Sequence, residues 1–389
     1  MNKFIYLFVT LFAISFSSCN NEDASQGVET ITPATLKLTI AGIGVNTKAT
    51  GLTATDGSVG SSEATVNSMI VGVFKCTQST PNDNDPLDKI TEIPTASLGA
   101  SISVDGLTAG DRSVIVVTNY DDAAKTALLA AKTRGEFLAK TIKLSVTTGS
   151  TTTTAGSTQV ATYLPMSGEA KVGTNNVIKL NAATNNADVT LSRLVAKISI
   201  NSINTAFIAP YANATFNLNK IFIYGALESS TVAVGTNSTV PSAVTLINGG
   251  TVSGSTWAVE KPYLLDAGSL CSFSPVTPIV TSYSTAHSFY VFANGNGTYP
   301  LKLVLGGEFD MDGAGTVAAS STTYYPIIIN QTTPTSSTGV VDRNTIYNVT
   351  ATIKGIGVAN PSENILPANL TLSVTPAPWT TSNQTVEFN

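Results

Sequence analysis

Charge is what this chain has least of. Charged residues make up 12% of its 389 residues, against roughly 25% in an ordinary soluble domain. Histidine occurs once, tryptophan twice and cysteine three times. Each scarcity excludes something. The net charge is −5, the pI is near 5.0 and no Lys/Arg cluster occurs, so the electrostatic footprint of a nucleic-acid binder is missing. The single histidine, His287 in STAHSFYVF, would be a general base without a partner nucleophile, and reads more simply as the start of a strand. No G-x-S-x-G, H-E-x-x-H or P-loop is present. A Cys271–His287 dyad lacks a positive environment, since GSLCSFSP offers none. With Trp257 and Trp379 alone, an aromatic sugar platform is poorly supplied, and Trp379 reads as a core anchor. The chain therefore reads as no enzyme and as carrying no cofactor.

Two acidic patches invite a metal reading. FDMDGAG, with Asp310, Asp312 and Gly313, opens like a calcium loop, but Ser321 stands where the closing glutamate belongs. NDNDP carries Asp83 and Asp85. Both patches fit tight turns between strands, and no metal site is assigned.

What is abundant is Thr, Ser, Asn and Val, the composition of a pleated, extracellular surface. Candidate strands recur along the chain between Gly, Asn, Ser and Pro: NSMIVGVFK, SISV, RSVIVVTN, TIKLSV and NVIKL, then VTLSRLVAKISI and its successors. RSVIVVTN is continuously apolar, as a strand buried on both faces would be. In LSRLVAKISI, Leu194, Ala196, Ile198 and Ile200 form the expected core face, with Arg193 and Lys197 on a wetter one. One helix is expected at DDAAKTALLAAK, capped by Asp121 or Asp122, with Leu128 and Leu129 as its apolar face. TTGSTTTTAGSTQ reads as an exposed low-complexity loop. The polar segment 181–188 reads as a boundary, and the length suits two domains.

The first fifty residues have an unusual order. A short apolar leader ends in Phe16-Ser17-Ser18-Cys19, which resembles a bacterial lipobox with Phe16 in place of the usual Leu, Ile or Val. The apolar run is too short to span a membrane and suits a secretory signal. The alternative is an ordinary signal cut near Ser18. A flexible acidic run follows, then a strand, TLKLTIAGIGV, with Leu36, Leu38 and Ile40 on one face. After it Lys48 sits alone in VNTKATGLTATDGS. No arginine precedes Arg112, and Lys37 lies inside the strand, so Lys48 is the accessible basic residue. Export permits a disulfide. Cys76 and Cys271 nevertheless fall in different halves with nothing local to pair them, and two buried free thiols is the preferred reading.

These stretches in this order resemble the fimbrillins, the major subunits of Bacteroidetes type V pili: the leader, strand and basic site; VNSMIVGVF; RSVIVVTN and its helix; LPMSG; LSRLVAKISI; YYPIIIN followed by DRNTIYNVTATIKGIG; and LTLSVTPAPW. The resemblance implies an all-β fold of two transthyretin-like antiparallel β-sandwich domains with one short helix in the first. The implied organisation is a lipoprotein signal over 1–18, a propeptide with the first strand over 19–48, an N-terminal sandwich over 49–185, and a C-terminal sandwich with a donor-strand tail over 186–389.

It also implies a life history. The precursor is lipidated (palmitate) at Cys19 and delivered to the outer membrane. Cleavage between Lys48 and Ala49 removes the strand bearing Leu36, Leu38 and Ile40. A C-terminal strand of the neighbouring subunit then fills the groove, either LTLSV (Leu370, Leu372, Val374) or QTVEFN (Val386, Phe388). The expected partners are other copies of the chain, related fimbrial subunits, the outer membrane before processing, and host or bacterial surface receptors. The alternatives are an anchor or tip subunit of the same fibre, or a monomeric glycan-binding surface lipoprotein.

Overall fold

The computed structural model describes residues 33–41, 61–99, 101–144, 146–148, 157–159, 161–232, 282–283, 287–293, 300–315, 320–331, 339–361, 363 and 370–378. The first half contains β1 (Pro33–Ala41), β2 (Met69–Lys75), β3 (Leu87–Ile93), β4 (Ser101–Thr108), β5 (Gly110–Thr118), α1 (Asp122–Leu129), α2 (Arg134–Leu138), β6 (Thr141–Lys143), β7 (Val146–Thr148), β8 (Ser157–Gln159), β9 (Met166–Lys171), β10 (Ile178–Leu180) and β11 (Thr184–Thr190). The second half contains β12 (Ser192–Arg193), β13 (Val195–Thr205), β14 (Thr215–Tyr224), β15 (Ser229–Thr231), β16 (Ser282–Tyr283), β17 (His287–Phe292), β18 (Lys302–Asp310), β19 (Ser320–Ile328), β20 (Thr345–Ile353) and β21 (Leu370–Pro378). Strands dominate the described residues, as expected of an all-β chain.

The first sheet runs β3-β2-β5-β9-β11-β1-β4 and curls around one core. Strict alternation explains how. Leu36, Leu38 and Ile40 of β1 meet Ile102 and Val104 of β4, Ala187 and Val189 of β11, and Val71, Val73, Val114 and Val116 of β2 and β5. The continuous apolar run in β5 is buried on both faces: Ile115 and Val117 point the other way, onto Ala124 and Leu128 of α1 and Phe137 of α2. The chain thus puts helices over the back of its most apolar strands.

In the second half, β13, β17 and β20 face β14, β18 and β19 across a shared core that includes Ile198, Phe289, Val349, Phe216, Leu305 and Tyr325. Two bulges keep side chains on the right face. The β13/β20 register shifts between Ile200 and Ser202, so the buried series runs Ile198, Ile200, then Ile203. In β14 the shift lies between Leu218 and Lys220, and the series runs Phe216, Leu218, Ile221, Ile223. One extra residue per bulge converts a spacing of two into three without exposing the core.

Several expectations are corrected. The sheets are mixed rather than antiparallel, because β1 runs parallel to β11 and β13 parallel to β20. Among the described residues there are two short α-helices rather than one. Asp121 does cap α1, accepting the Ala124 N–H at 2.9 Å. Leu128 is buried but Leu129 is exposed, since one turn of an eight-residue helix can point only one of them at β5. Most of the segment 181–188 is strand, β11, paired to β1 and β9. VTLSRLVAKISI is not one strand but the end of β11, then β12 and the start of β13. The supposedly wetter face is also wrong in part. Arg193 is buried, and Val195 packs in a cluster drawn from both halves, because first-half residues cover that side. The ends of the low-complexity stretch pair with each other, as β7 and β8.

Candidate functional site: the slot of the first strand

β1 is held on both sides. Its residues 35–41 lie in register with residues 184–190 of β11, and Leu36, Lys37, Leu38 and Thr39 lie opposite Val104, Ser103, Ile102 and Ser101 of β4. Leu36 and Leu38 are fully buried and Ile40 nearly so, while Lys37 and Thr39 face outward. Burial of three such side chains contributes roughly 5–9 kcal/mol. Lys37 lies within paired backbone, as the sequence reading required. The chain leaves the described residues after Ala41 and re-enters at Ser61. Lys48 and Ala49 fall between and lie outside the described residues, as do Cys19, Val386 and Phe388.

The entrance of the slot carries polar contacts. The Thr35 hydroxyl donates to Asp105 Oδ1 at 2.9 Å. Asn185 Nδ2 donates to the Thr35 carbonyl at 3.2 Å and to the Ala183 carbonyl at 2.7 Å, and Asn185 Oδ1 accepts the Asn181 N–H at 3.0 Å. The asparagine therefore grips a main-chain carbonyl that any strand in this register would present.

β4 closes the slot on one side, and among the described strands it forms a ladder with β1 alone. Its other attachments are side chains. Asp88 on β3 accepts the Thr108 N–H at 3.2 Å, the Thr108 hydroxyl at 2.9 Å and Arg112 Nε at 2.7 Å. Lys75 Nζ stands 3.9 Å away. Burial opposes the charge on Asp88, but the hydrogen bonds from Arg112 and Thr108 outweigh it and hold its carboxyl below the usual range. The Arg112 guanidinium also donates to the Thr108 hydroxyl and to the Ala109 and Asp111 carbonyls. Gly110, at φ +124°, makes room: a Cβ there would sit 3.0 Å from Arg112 Nη1 in a conformation side chains rarely adopt.

Downstream of the cleavage candidates, the chain is tied to the second half. Glu63 is buried in a short 3-10 turn, Ser61–Ala64, and its carboxylate accepts from Lys197 Nζ at 2.6 Å and from the Tyr290 hydroxyl. Arg193 Nε donates to the Glu63 carbonyl at 3.2 Å. Burial, with the Glu63 charge beside it, drives the Tyr290 hydroxyl well above its ordinary pKa. Sequence reasoning missed both Asp88 and Glu63. Each is one acidic residue in a polar stretch, and its partners come from distant strands.

The other predicted residues are placed as follows. Leu370, Leu372 and Val374 lie in β21, antiparallel to β20 and opposite Ile353, Ala351 and Val349, so this part of the tail completes a sheet of its own chain. The acidic patches are turns. Asp310 accepts the Gly315 N–H at 2.8 Å and Asp312 the Ala314 N–H at 2.9 Å. Asp85 accepts from Thr77 and Asn82. Cys76 is a partly buried free thiol whose pKa burial pushes up to about 11, while Cys271 and the two tryptophans lie outside the described residues. Tyr347 is buried with its hydroxyl accepting the Asp342 N–H at 2.9 Å.

Comparison with known proteins gives three results. Residues 34–206 match the family model of the major fimbrial subunit protein (FimA). No curated protein matches the chain. Among solved structures, a fimbrilin (fimA) from Porphyromonas gingivalis is 18% identical with a TM-score of 0.56, covering 91% of this chain and 99% of that one. A candidate cell adhesion protein from Bacteroides eggerthii is 22% identical with a TM-score of 0.56, covering 89% and 96%. Another from Parabacteroides distasonis is 19% identical, also at 0.56, covering 91% and 98%. At these identities the structures speak to the fold, and they extend it over most of the chain. Residues 34–206, which hold nearly all of β1 and the whole of its slot, are thus similar to the major fimbrial subunit (FimA) family.

Proposed function

We propose that the protein is a structural subunit of a cell-surface fimbria, exported as a lipoprotein through Cys19, trimmed after Lys48 and polymerised by strand exchange. The observation that carries this reading is the setting of β1. It supplies three buried core side chains, yet only one basic residue, Lys48, lies between it and the buried Glu63. Cutting there frees a strand whose loss opens an apolar slot with unpaired backbone on both sides, and such an edge takes up another strand. In this reading the curled first sheet and the two facing sheets of the second half serve as the two sandwich domains of such a subunit.

Because Leu370–Pro378 already pairs with β20, the donor in this reading is the segment beyond it, with Val386 and Phe388 entering where Leu36 and Leu38 sat. Its partners are further copies of the chain and related fimbrial subunits. Its location is the outer membrane before processing and the surface fibre afterwards.

An unboiled gel of surface extract, probed for this protein, tests the proposal. A high-mass ladder is expected. A lone monomer band instead favours a glycan-binding surface lipoprotein. N-terminal sequencing of the ladder separates shaft from anchor, since an anchor keeps its first strand.

A further inference from the structure

We infer that Asp88 is the positioning residue that keeps the slot open once β1 has gone. This rests on the strand-exchange reading above and adds a part to it. The argument begins with topology. β4 sits at the end of the sheet path and has β1 as its one ladder partner among the described strands. Removing β1 therefore takes away every ladder hydrogen bond β4 makes there. It also vacates the space of Leu36, Leu38 and Ile40, directly beside Ile102, Val104 and Leu107 of β4. Apolar side chains beside a vacant apolar space are drawn into it. Left to itself, β4 would fall toward β11 and close the slot before a donor arrived.

Besides the Arg112 guanidinium of β5, which donates to the Thr108 hydroxyl, two contacts oppose that collapse, and both come from β3. Asp88 takes the backbone N–H and the hydroxyl of Thr108, at the end of β4, and is itself fixed by Arg112 from β5. Asp88 and Arg112 are both almost wholly buried, so the pair is poorly screened by water. Lys89 Nζ meanwhile donates to the Asp105 carbonyl further along β4. Neither contact involves β1, so both survive its removal. The node holds β4 from behind, against β3, at the spacing a strand needs in front. Thr108 is also the residue opposite Pro33, where β1 enters. Asp88 thus fixes the end of the slot at which register is set, next to the Asp105 and Asn185 contacts.

The test uses the full-length precursor, nicked after Lys48 by a lysine-specific protease, with a fluorescent peptide of residues 33–41 as the incoming strand. Peptide uptake and hydrogen exchange of the β4 amides are read in wild type and Asp88→Asn. Before the cut, β4 protection should agree within threefold between the two, because β1 still braces it. After the cut and release of β1, β4 of the variant should exchange at least tenfold faster and take up peptide at least tenfold more slowly. Equal uptake and equal protection after the cut overturn the inference. Equal loosening before the cut also overturns it, because Asp88 would then be an ordinary stability residue. Should Asp88→Asn fail to fold, Thr108→Val removes one arm of the node while keeping the Asp88–Arg112 pair, and a threefold loss of uptake after the cut alone is expected. If nicked wild type takes up no peptide, strand exchange itself fails and the inference falls with it.

Discussion

A single large-to-small change in β1 should separate precursor from fibre. Leu38 is fully buried and lies opposite Ala187 of β11 and Ile102 of β4. Replacing it with alanine removes its transfer free energy and leaves a cavity. Large-to-small core changes of this kind cost about 2–5 kcal/mol, the larger values where the walls cannot relax. Here the walls are paired strands on both sides, with β4 also held from behind, so a loss of about 3–4 kcal/mol is expected. With a urea slope near 2 kcal/mol/M, the midpoint of the first core falls by about 1.5–2 M. Chains with separate cores need not unfold in one step. The measurement is therefore hydrogen exchange of the β2 and β5 amides across a urea series, which reads the first core alone. Lys37→Ala, on the outward face of the same strand, is the control and should stay within about 0.5 kcal/mol.

The decisive comparison is the assembled fibre. If β1 is discarded, fibres grown from Leu38→Ala precursor that still folds must be as stable as wild-type fibres, because the altered residue is no longer there. A fibre weakened as much as its precursor refutes removal of β1. A precursor that loses nothing refutes the packing argument.

Other outcomes follow from the same geometry. Lys48→Ala should leave the precursor folded and abolish the ladder, and mature fibres should begin at Ala49 on N-terminal sequencing; residues 19–45 still attached would contradict this. Glu63→Gln removes the charge that Lys197 and the Tyr290 hydroxyl share, and should cost about 1.5–3 kcal/mol in precursor and fibre alike, read by thermal melting. Asp88 has a depressed folded-state pKa. Its stabilising contribution is therefore present above the unfolded value of about 3.9 and lost as pH falls through the folded one. In nicked protein that has lost β1, wild type should exceed Asp88→Asn in stability at pH 6, and the two curves should converge in acid titrations below about pH 4. Deleting residues 380–389 should leave the precursor folded and stop polymerisation, whereas a charge at Leu372 should already disturb the precursor, because β21 pairs with β20 in the same chain.

Local patterns were legible and non-local ones were not. The alternation of β1 gave its buried face correctly, residue by residue, because period two is written in the sequence itself. The unbroken run in β5 gave double burial for the same reason. The helix cap at Asp121 was visible, and a second signal was there to be found: Thr133 with Glu136 three residues later is a capping pattern, and the Thr133 hydroxyl accepts the Glu136 N–H at 3.2 Å at the start of α2. Strand direction was not legible, since nothing local says that β1 runs parallel to β11. The buried Arg193 was misread because its cover comes from Glu63, which is 130 residues away. The slot could be inferred from one strand, but its far wall and the Asp88 node depend on which strands the fold brings to that edge.

The energetics of the proposed exchange explain why cleavage must drive it. The outgoing strand offers Leu36, Leu38 and Ile40, while the incoming one offers Val386 and Phe388, so the apolar burial on the two sides is similar and no large gain favours the donor. Before cleavage β1 is covalently tethered, and a tethered strand competes at an effective concentration in the millimolar range. No neighbouring subunit could match that, and premature fibres are suppressed. A cut after Lys48 leaves β1 in its slot but removes the tether, and any strand that leaves then diffuses away. The donor, by contrast, belongs to a folded subunit whose chain continues into β21, so inside a growing fibre it is the donor that is tethered. The direction of assembly is thus set by which strand remains covalently attached to a folded body, and the slot needs only to stay open and in register during the interval when it is empty.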